Sequence, residues 1–172
     1  FVHPKTKAKL RAKLKELTSR SNGWGNEKRK EKQTYAIRGW VNYFRLAEMR
    51  KFLKETDEWL RSRIRMCIWK CWKRVRTRFR NLQRCGIAKG QAWQWANTRK
   101  GYWRTVHSPI LTRAISTENL KRAHYPSLME YYEKLHRVRN RRMPNGTYGG
   151  VRGEETKVGQ KTFVSRPTRL LC

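Results

Sequence analysis

Acidic residues are scarce. The 172-residue chain has 43 Lys and Arg but only 12 Asp and Glu, for a formal charge of +31. Like charges at this density repel one another, most of all in the compact state. A polyanion relieves that repulsion, so nucleic acid is the expected partner. The acids are also unevenly placed. Residues 59–117 contain none, yet hold fifteen Lys or Arg. A polymerase or nuclease centre gathers carboxylates around divalent metal, and this half of the chain has no carboxylate to offer. Glu55, Asp57 and Glu58 sit at successive helix angles that do not converge, so they read as a solvated or salt-bridging patch.

Long apolar runs are missing as well. No stretch of 18 apolar residues occurs, which excludes a bilayer-spanning helix. The basic stretches are full of Trp and polar groups, which argues against a membrane surface. Hydrophobic residues make up 37% of the chain, below the usual share of about 45–50%, so the core should be thin. Paired cysteines are absent: Cys67, Cys71, Cys85 and Cys172 include no C-x-x-C and no second pair at zinc-ligand spacing. They read as buried free thiols in a reducing compartment. The four histidines have no partners at ligand spacing, and no Gly-rich phosphate loop precedes a helix. No small-molecule substrate and no bound cofactor is therefore expected.

Strand patterning is absent too, and helical patterning is abundant. In PKTKAKLRAKLKELTSR, residues 4–20, Pro4 suits a first helical position and Leu10, Leu14 and Leu17 form one apolar stripe. After the turn SNGWG a second helix is expected over 27–47, and a third over 50–73. On the third, Leu53, Leu60, Ile64, Cys67 and Cys71 share one narrow sector, with Ile68 on its flank. Arg61, Arg65, Trp69 and Trp72 share a second face; Trp59, Arg63 and Lys70 share a third. A short helix follows, with Phe79 and Leu82 inward and Gly86 just past its end. Another closes near Asn97 and leads into a loop. Ser108–Pro109 opens a further helix, Ser116 or Thr117 caps the next, and Pro126 opens a last one. From Met143 on, Gly, Pro, Thr and basic residues dominate without periodicity.

The expected fold is all-α: a three-helix bundle over 1–75, a set of short helices over 76–142 and a flexible basic tail over 143–172. The stretch RGWVNYFR, 38–45, divides by helix angle. Ile37, Trp40, Val41 and Phe44 make a core face, and Arg38, Asn42 and Arg45 lie opposite. Gly39 lies off the core face, where a missing side chain allows a helix or a backbone to come close.

Six of the eight tryptophans fall between positions 59 and 103, within the acid-free stretch. Cations neutralise phosphates while rings and guanidinium planes stack on unpaired bases, so the field as a whole reads as a nucleic-acid surface. Each ring taken singly reads better as packing between the bundle and the short helices. Arg61, Arg65, Lys73, Arg74, Arg76, Arg78 and Arg80 are the expected phosphate contacts. In TRKGYWR, Arg99, Lys100 and Arg104 would touch backbone, Gly101 would let the chain approach closely, and Tyr102 or Trp103 would stack. The alternative for that segment is an interhelix turn whose rings cap the small domain.

Two long stretches carry a family likeness. IRGWVNYFRLAEM and FLKETDEWLRSRIRMCIWKCWKR closely resemble the maturase-specific (X, or thumb) region of group II intron-encoded reverse transcriptase/maturases. TRFRNLQRCGI, AWQWANTRKGYWRTVHSPIL and YPSLMEYYEKL resemble the region that follows the thumb in the same proteins. The likeness covers about residues 3–140, and NRRMPNGTYGGVRG looks like ends seen in some members. It implies a thumb-like bundle that helps bind intron RNA, followed by a region associated with target DNA in mobility. The full proteins add a palm with paired aspartates, where Mg²⁺ would sit; that motif is not in this sequence. Nor does the C-terminal part have the cysteine pairs and histidines of the HNH-type endonuclease that ends some members. The resemblance thus implies an RNA-binding maturase module, with splicing chemistry and its Mg²⁺ belonging to the ribozyme. A general structural RNA binder and a duplex DNA binder are the rival readings. Because the sequence begins at Phe1, it reads as the C-terminal piece of a longer protein, expected in a bacterial cytoplasm with an organelle as the alternative. Nothing in it fixes an oligomeric state.

Overall fold

The computed structural model describes residues 2–139. Within them every regular element is a helix: α1 (Pro4–Leu17), α2 (Asn26–Tyr43), α3 (Arg50–Cys71), α4 (Val75–Arg84), α5 (Lys89–Ala96), α6 (Tyr102–Val106), α7 (Pro109–Ala114), α8 (Thr117–Arg122) and α9 (Leu128–Arg139). The all-α expectation is met. The tail expected over 143–172 lies outside the described residues.

Local signals explain most helix ends. His3 accepts a hydrogen bond from the Lys5 amide at 3.2 Å, and Pro4 follows it at a position that needs no amide donor. Ser108 and Ser116 each accept from the amide three residues on. Gly86, with φ +80°, ends α4: its amide donates to Gln83 and that of Ile87 to Leu82, a Schellman closure. His124, with φ +58°, ends α8 in the same way, its amide donating to Lys121 and that of Tyr125 to Leu120. A side chain other than Gly is strained in that region.

Three elements differ from expectation. α2 stops at Tyr43, because Phe44 leaves helical geometry and the Ala47 amide turns back to the Phe44 carbonyl. The segment expected as a loop after Asn97 contains α6, whose Thr105 and Val106 are buried against α3. And α9 begins two residues after Pro126.

One core runs from Val2 to Tyr132. Its axis is α3. From Leu60 to Trp69 this helix is buried on nearly every side, since α1, α6 and α9 all pack on it. Trp69 and Trp72 are fully buried, edge to face at 5.8 Å, beneath the short helices. The packing reading of these two rings is therefore the right one. Ile37 and Val41 are buried in α2, while Trp40 and Phe44 are half-buried; the Trp40 ring lies tilted against Phe44 at 4.8 Å and against Phe52 at 5.9 Å. Cys67 is buried, but Cys71 is exposed, so the core sector ends one turn earlier than its spacing suggests.

Two cations of α3 fasten α1. Arg63 donates from Nε to Thr18 Oγ1 at 3.0 Å and from a terminal nitrogen to Lys15 O at 3.0 Å. Lys70 donates to Arg20 O, and Cys67 Sγ to Thr18 O at 3.2 Å. The last carbonyls of a helix carry partial negative charge and lack intrahelical donors, and Arg63 answers both needs at Lys15 O, while Lys70 holds the turn that follows α1.

Candidate nucleic-acid interface

The acid-free half of the sequence becomes an outward-facing basic surface on α4 and the turn before it. Lys73, Arg74, Arg76 and Arg80 are exposed, with no carboxylate of the described residues at salt-bridge distance. Arg78 faces the other way. Its Nε donates to Trp72 O at 2.9 Å and its guanidinium lies over the Trp69 ring at 4.8 Å, so it is held as packing.

Arg65 corrects the sequence reading. It is buried, and its Nε donates to Ile115 O at 2.8 Å. Burial, with Arg61 nearby, lowers its pKa from the ordinary guanidinium value. Arg65 is a tie between α3 and the end of α7. Arg61, four residues earlier, is only half-buried and opens into a groove.

That groove, of about 810 Å³, lies among α3, α8 and α9. Lys54, Arg61, Lys121, Lys134 and Arg137 line it. Glu130 and Glu133 lie there too, and Glu130 pairs with Lys121 at 3.7 Å. Four of these five cations were not among the sequence candidates. They come from three separate segments, and no local spacing announces that they meet.

Their meeting depends on Asp57, the second correction. Asp57 is not part of a solvated patch but buried. Its Oδ1 accepts from the Leu128 amide at 2.8 Å, and its Oδ2 from the Met129 amide at 2.9 Å and Ser127 Oγ at 2.6 Å. A carboxylate at a helix N-terminus satisfies unpaired amides and complements the dipole. Here the cap comes from another helix. Glu55, by contrast, is exposed beside Arg11 at 3.8 Å.

On α2, Arg38 and Asn42 are exposed, as their helix angles predicted; Arg45, past the end of α2, is exposed in the turn that follows. α9 runs along one margin of this face: Tyr131 donates its hydroxyl to Asn42 Oδ1 at 3.1 Å, and Arg38 lies over the Tyr131 ring at 5.9 Å. Gly39 is exposed, and a Cβ there would meet nothing within 4 Å. No neighbour among the described residues needs the missing side chain.

In the TRKGYWR segment, Arg99, Lys100 and Arg104 are exposed. The Lys100 and Gly101 carbonyls accept from Thr105 Oγ1, which fixes the turn into α6. Lys100 also lies over the Trp95 ring at 5.3 Å. Tyr102 is half-buried with the Arg20 guanidinium over its ring at 5.0 Å, so that face is already occupied. Trp103 is 46% exposed, and the His107 ring, at 4.7 Å, is its one ring contact among the described residues. Of the two stacking candidates, Trp103 retains an open ring.

No group of three or more His, Cys, Asp or Glu among the described residues is placed to hold a metal ion. No helix among them is long and apolar enough to cross a membrane. The surface offers cations, amides and rings, which is chemistry for holding a polyanion.

Residues 7–86 match the family model for the group II intron, maturase-specific domain. The match runs from α1 through Gly86 and so spans the helices that build the basic face of α4. No curated protein matches the chain.

Proposed function

We propose that this chain, which carries a group II intron maturase-specific domain over residues 7–86, acts by binding group II intron RNA and favouring its splicing-competent fold. The observation that supports this reading is the conjunction of that domain with the exposed cations of an acid-free stretch. Arg61, Lys73, Arg74, Arg76 and Arg80 would lie against phosphates, releasing counterions from the RNA. Arg99, Lys100 and Arg104 would contact backbone at the α6 turn, with Trp103 available for stacking. Arg38 and Asn42 on α2, with Arg45 in the turn after it, would hold a further RNA segment. Neutralising phosphates where RNA helices crowd together favours the compact RNA. The RNA would perform the transesterification, with its own Mg²⁺. The helices after Gly86 would assist target-DNA binding in intron mobility.

Competition binding tests the proposal. The chain is offered its own intron RNA, an unrelated structured RNA and duplex DNA across a salt series. The intron should be preferred, and the preference should persist as salt weakens all three. Equal affinity for the three would sink the maturase reading in favour of a general basic binder.

A further inference from the structure

The most exposed tryptophan among the described residues was not a candidate from sequence. Trp93 of α5 is 59% exposed. α5 is short, and its buried face is made of two alanines, Ala92 and Ala96, whose small side chains let it lie close against α4. The two indoles of α5 flank that seam in opposite senses. Trp95 is half-buried against the core and covered by Lys100. Trp93 stands on the other side, and its one aromatic neighbour among the described residues is Phe79 of α4, at 5.7 Å and 86°. Phe79 fixes the indole edge-to-face and leaves much of it in solvent.

The surroundings are cationic. Arg76 and Arg80 sit three residues before and one after Phe79 on α4, and both are exposed. Lys89 lies one turn before Trp93, also exposed, and Gly90 next to it would meet nothing if it carried a Cβ. No acid occurs anywhere in 59–117. A protein partner's apolar side chain would fill the ring but leave these cations unanswered. A strand of nucleic acid answers both, with a base on the indole and phosphates on the arginines. A duplex hides its base faces, so the base must be unpaired.

We propose that the Phe79–Trp93 pair is a stacking platform for an unpaired base of RNA, with Arg76, Arg80 and Lys89 holding the flanking phosphates. This rests on the RNA-binding reading above and adds a preference for single-stranded segments beside a helix.

The test compares the full chain and its Trp93→Ala and Trp93→Phe variants on three ligands: a blunt RNA duplex, the same duplex with a six-nucleotide 3′ RNA overhang, and that duplex with a DNA overhang. The unsubstituted chain should bind the RNA-overhang ligand more tightly than the blunt one. Trp93→Ala should reduce that advantage about tenfold while leaving blunt-duplex affinity unchanged, and Trp93→Phe should keep most of it. An advantage that survives Trp93→Ala would overturn the platform. So would an equal loss on blunt and overhang ligands, since the ring would then be packing. Equal or greater preference for the DNA overhang would assign the site to DNA and overturn the RNA proposal. Failure of the unsubstituted chain to bind any RNA is a different result, and would remove the function reading itself.

Discussion

Asp57 in α3 caps α9 through Leu128, its Oδ1 accepting the Leu128 amide at 2.8 Å across 71 positions of sequence. Its other oxygen takes the Met129 amide and the Ser127 hydroxyl. The carboxylate thereby fixes one wall of the groove that holds Lys121, Lys134 and Arg137. Asp57→Ala should cost about 1–2 kcal/mol of stability, the range for loss of an N-cap. Asp57→Ser, which keeps one short acceptor, should recover part. Chemical denaturation of the three proteins measures this. If Asp57→Ala is as stable as the parent, the cap does not hold α9.

Arg61 and Arg65 look alike in sequence and should behave oppositely. Arg61→Ala should leave stability within about 0.5 kcal/mol and reduce the salt slope of RNA binding by about one unit. Arg65→Ala removes a buried charged donor from Ile115 O, which should cost about 1–3 kcal/mol. Thermal unfolding together with binding at several salt concentrations separates the two effects. A stable Arg65→Ala variant with weakened RNA binding would reverse the assignment.

Gly39 sits inside α2 with open space where a Cβ would go. Gly39→Ala should therefore stabilise the chain by about 0.5–1 kcal/mol, through lower backbone entropy in the unfolded state. RNA affinity reads the other half: a loss in Gly39→Ala would show that something outside the chain uses the gap. A lower melting temperature would mean that the helix does not tolerate the methyl group, contrary to the geometry.

Alkaline pH should loosen the fold. Burial pushes the Cys67 and Cys85 thiols above their ordinary value of 9.0, and the Tyr125 phenol upward as well. A raised acid pKa means that the folded chain keeps protons that the unfolded chain releases. Stability from these groups is complete below about pH 9 and declines as pH rises toward their folded values. Denaturation midpoints at pH 7, 9 and 10 should fall, and Cys67→Ala should make the fall shallower. An unchanged slope in that variant would show that Cys67 titrates normally.

Much of the fold was legible because helices announce themselves locally. Leu10, Leu14 and Leu17 repeat with helical spacing, Pro4 and Ser108–Pro109 mark starts, and Gly86 marks an end. The basic face of α4 was legible for the same reason: Lys73, Arg74, Arg76 and Arg80 crowd a segment with too few apolar residues to bury them. Helix angles could not tell which of three faces of α3 stays wet, because three helices cover it. Trp69, Trp72 and Arg65 share a face that an isolated helix would expose, and here it is interior.

The sequence by itself determined the chemistry on offer: an all-α chain of +31 with no carboxylate in 59–117. Those properties follow from composition and short-range spacing, which act within a turn or two. Tertiary structure alone decided which charges are free. It turned Asp57 from a surface acid into a helix cap, Arg65 from a phosphate ligand into a tie to Ile115, and Trp93 into the open ring of α5. The reason is physical. A side chain's role depends on which distant backbone groups reach it, and the unpaired amides of α9 and the carbonyl of Ile115 arrive only once the chain is packed.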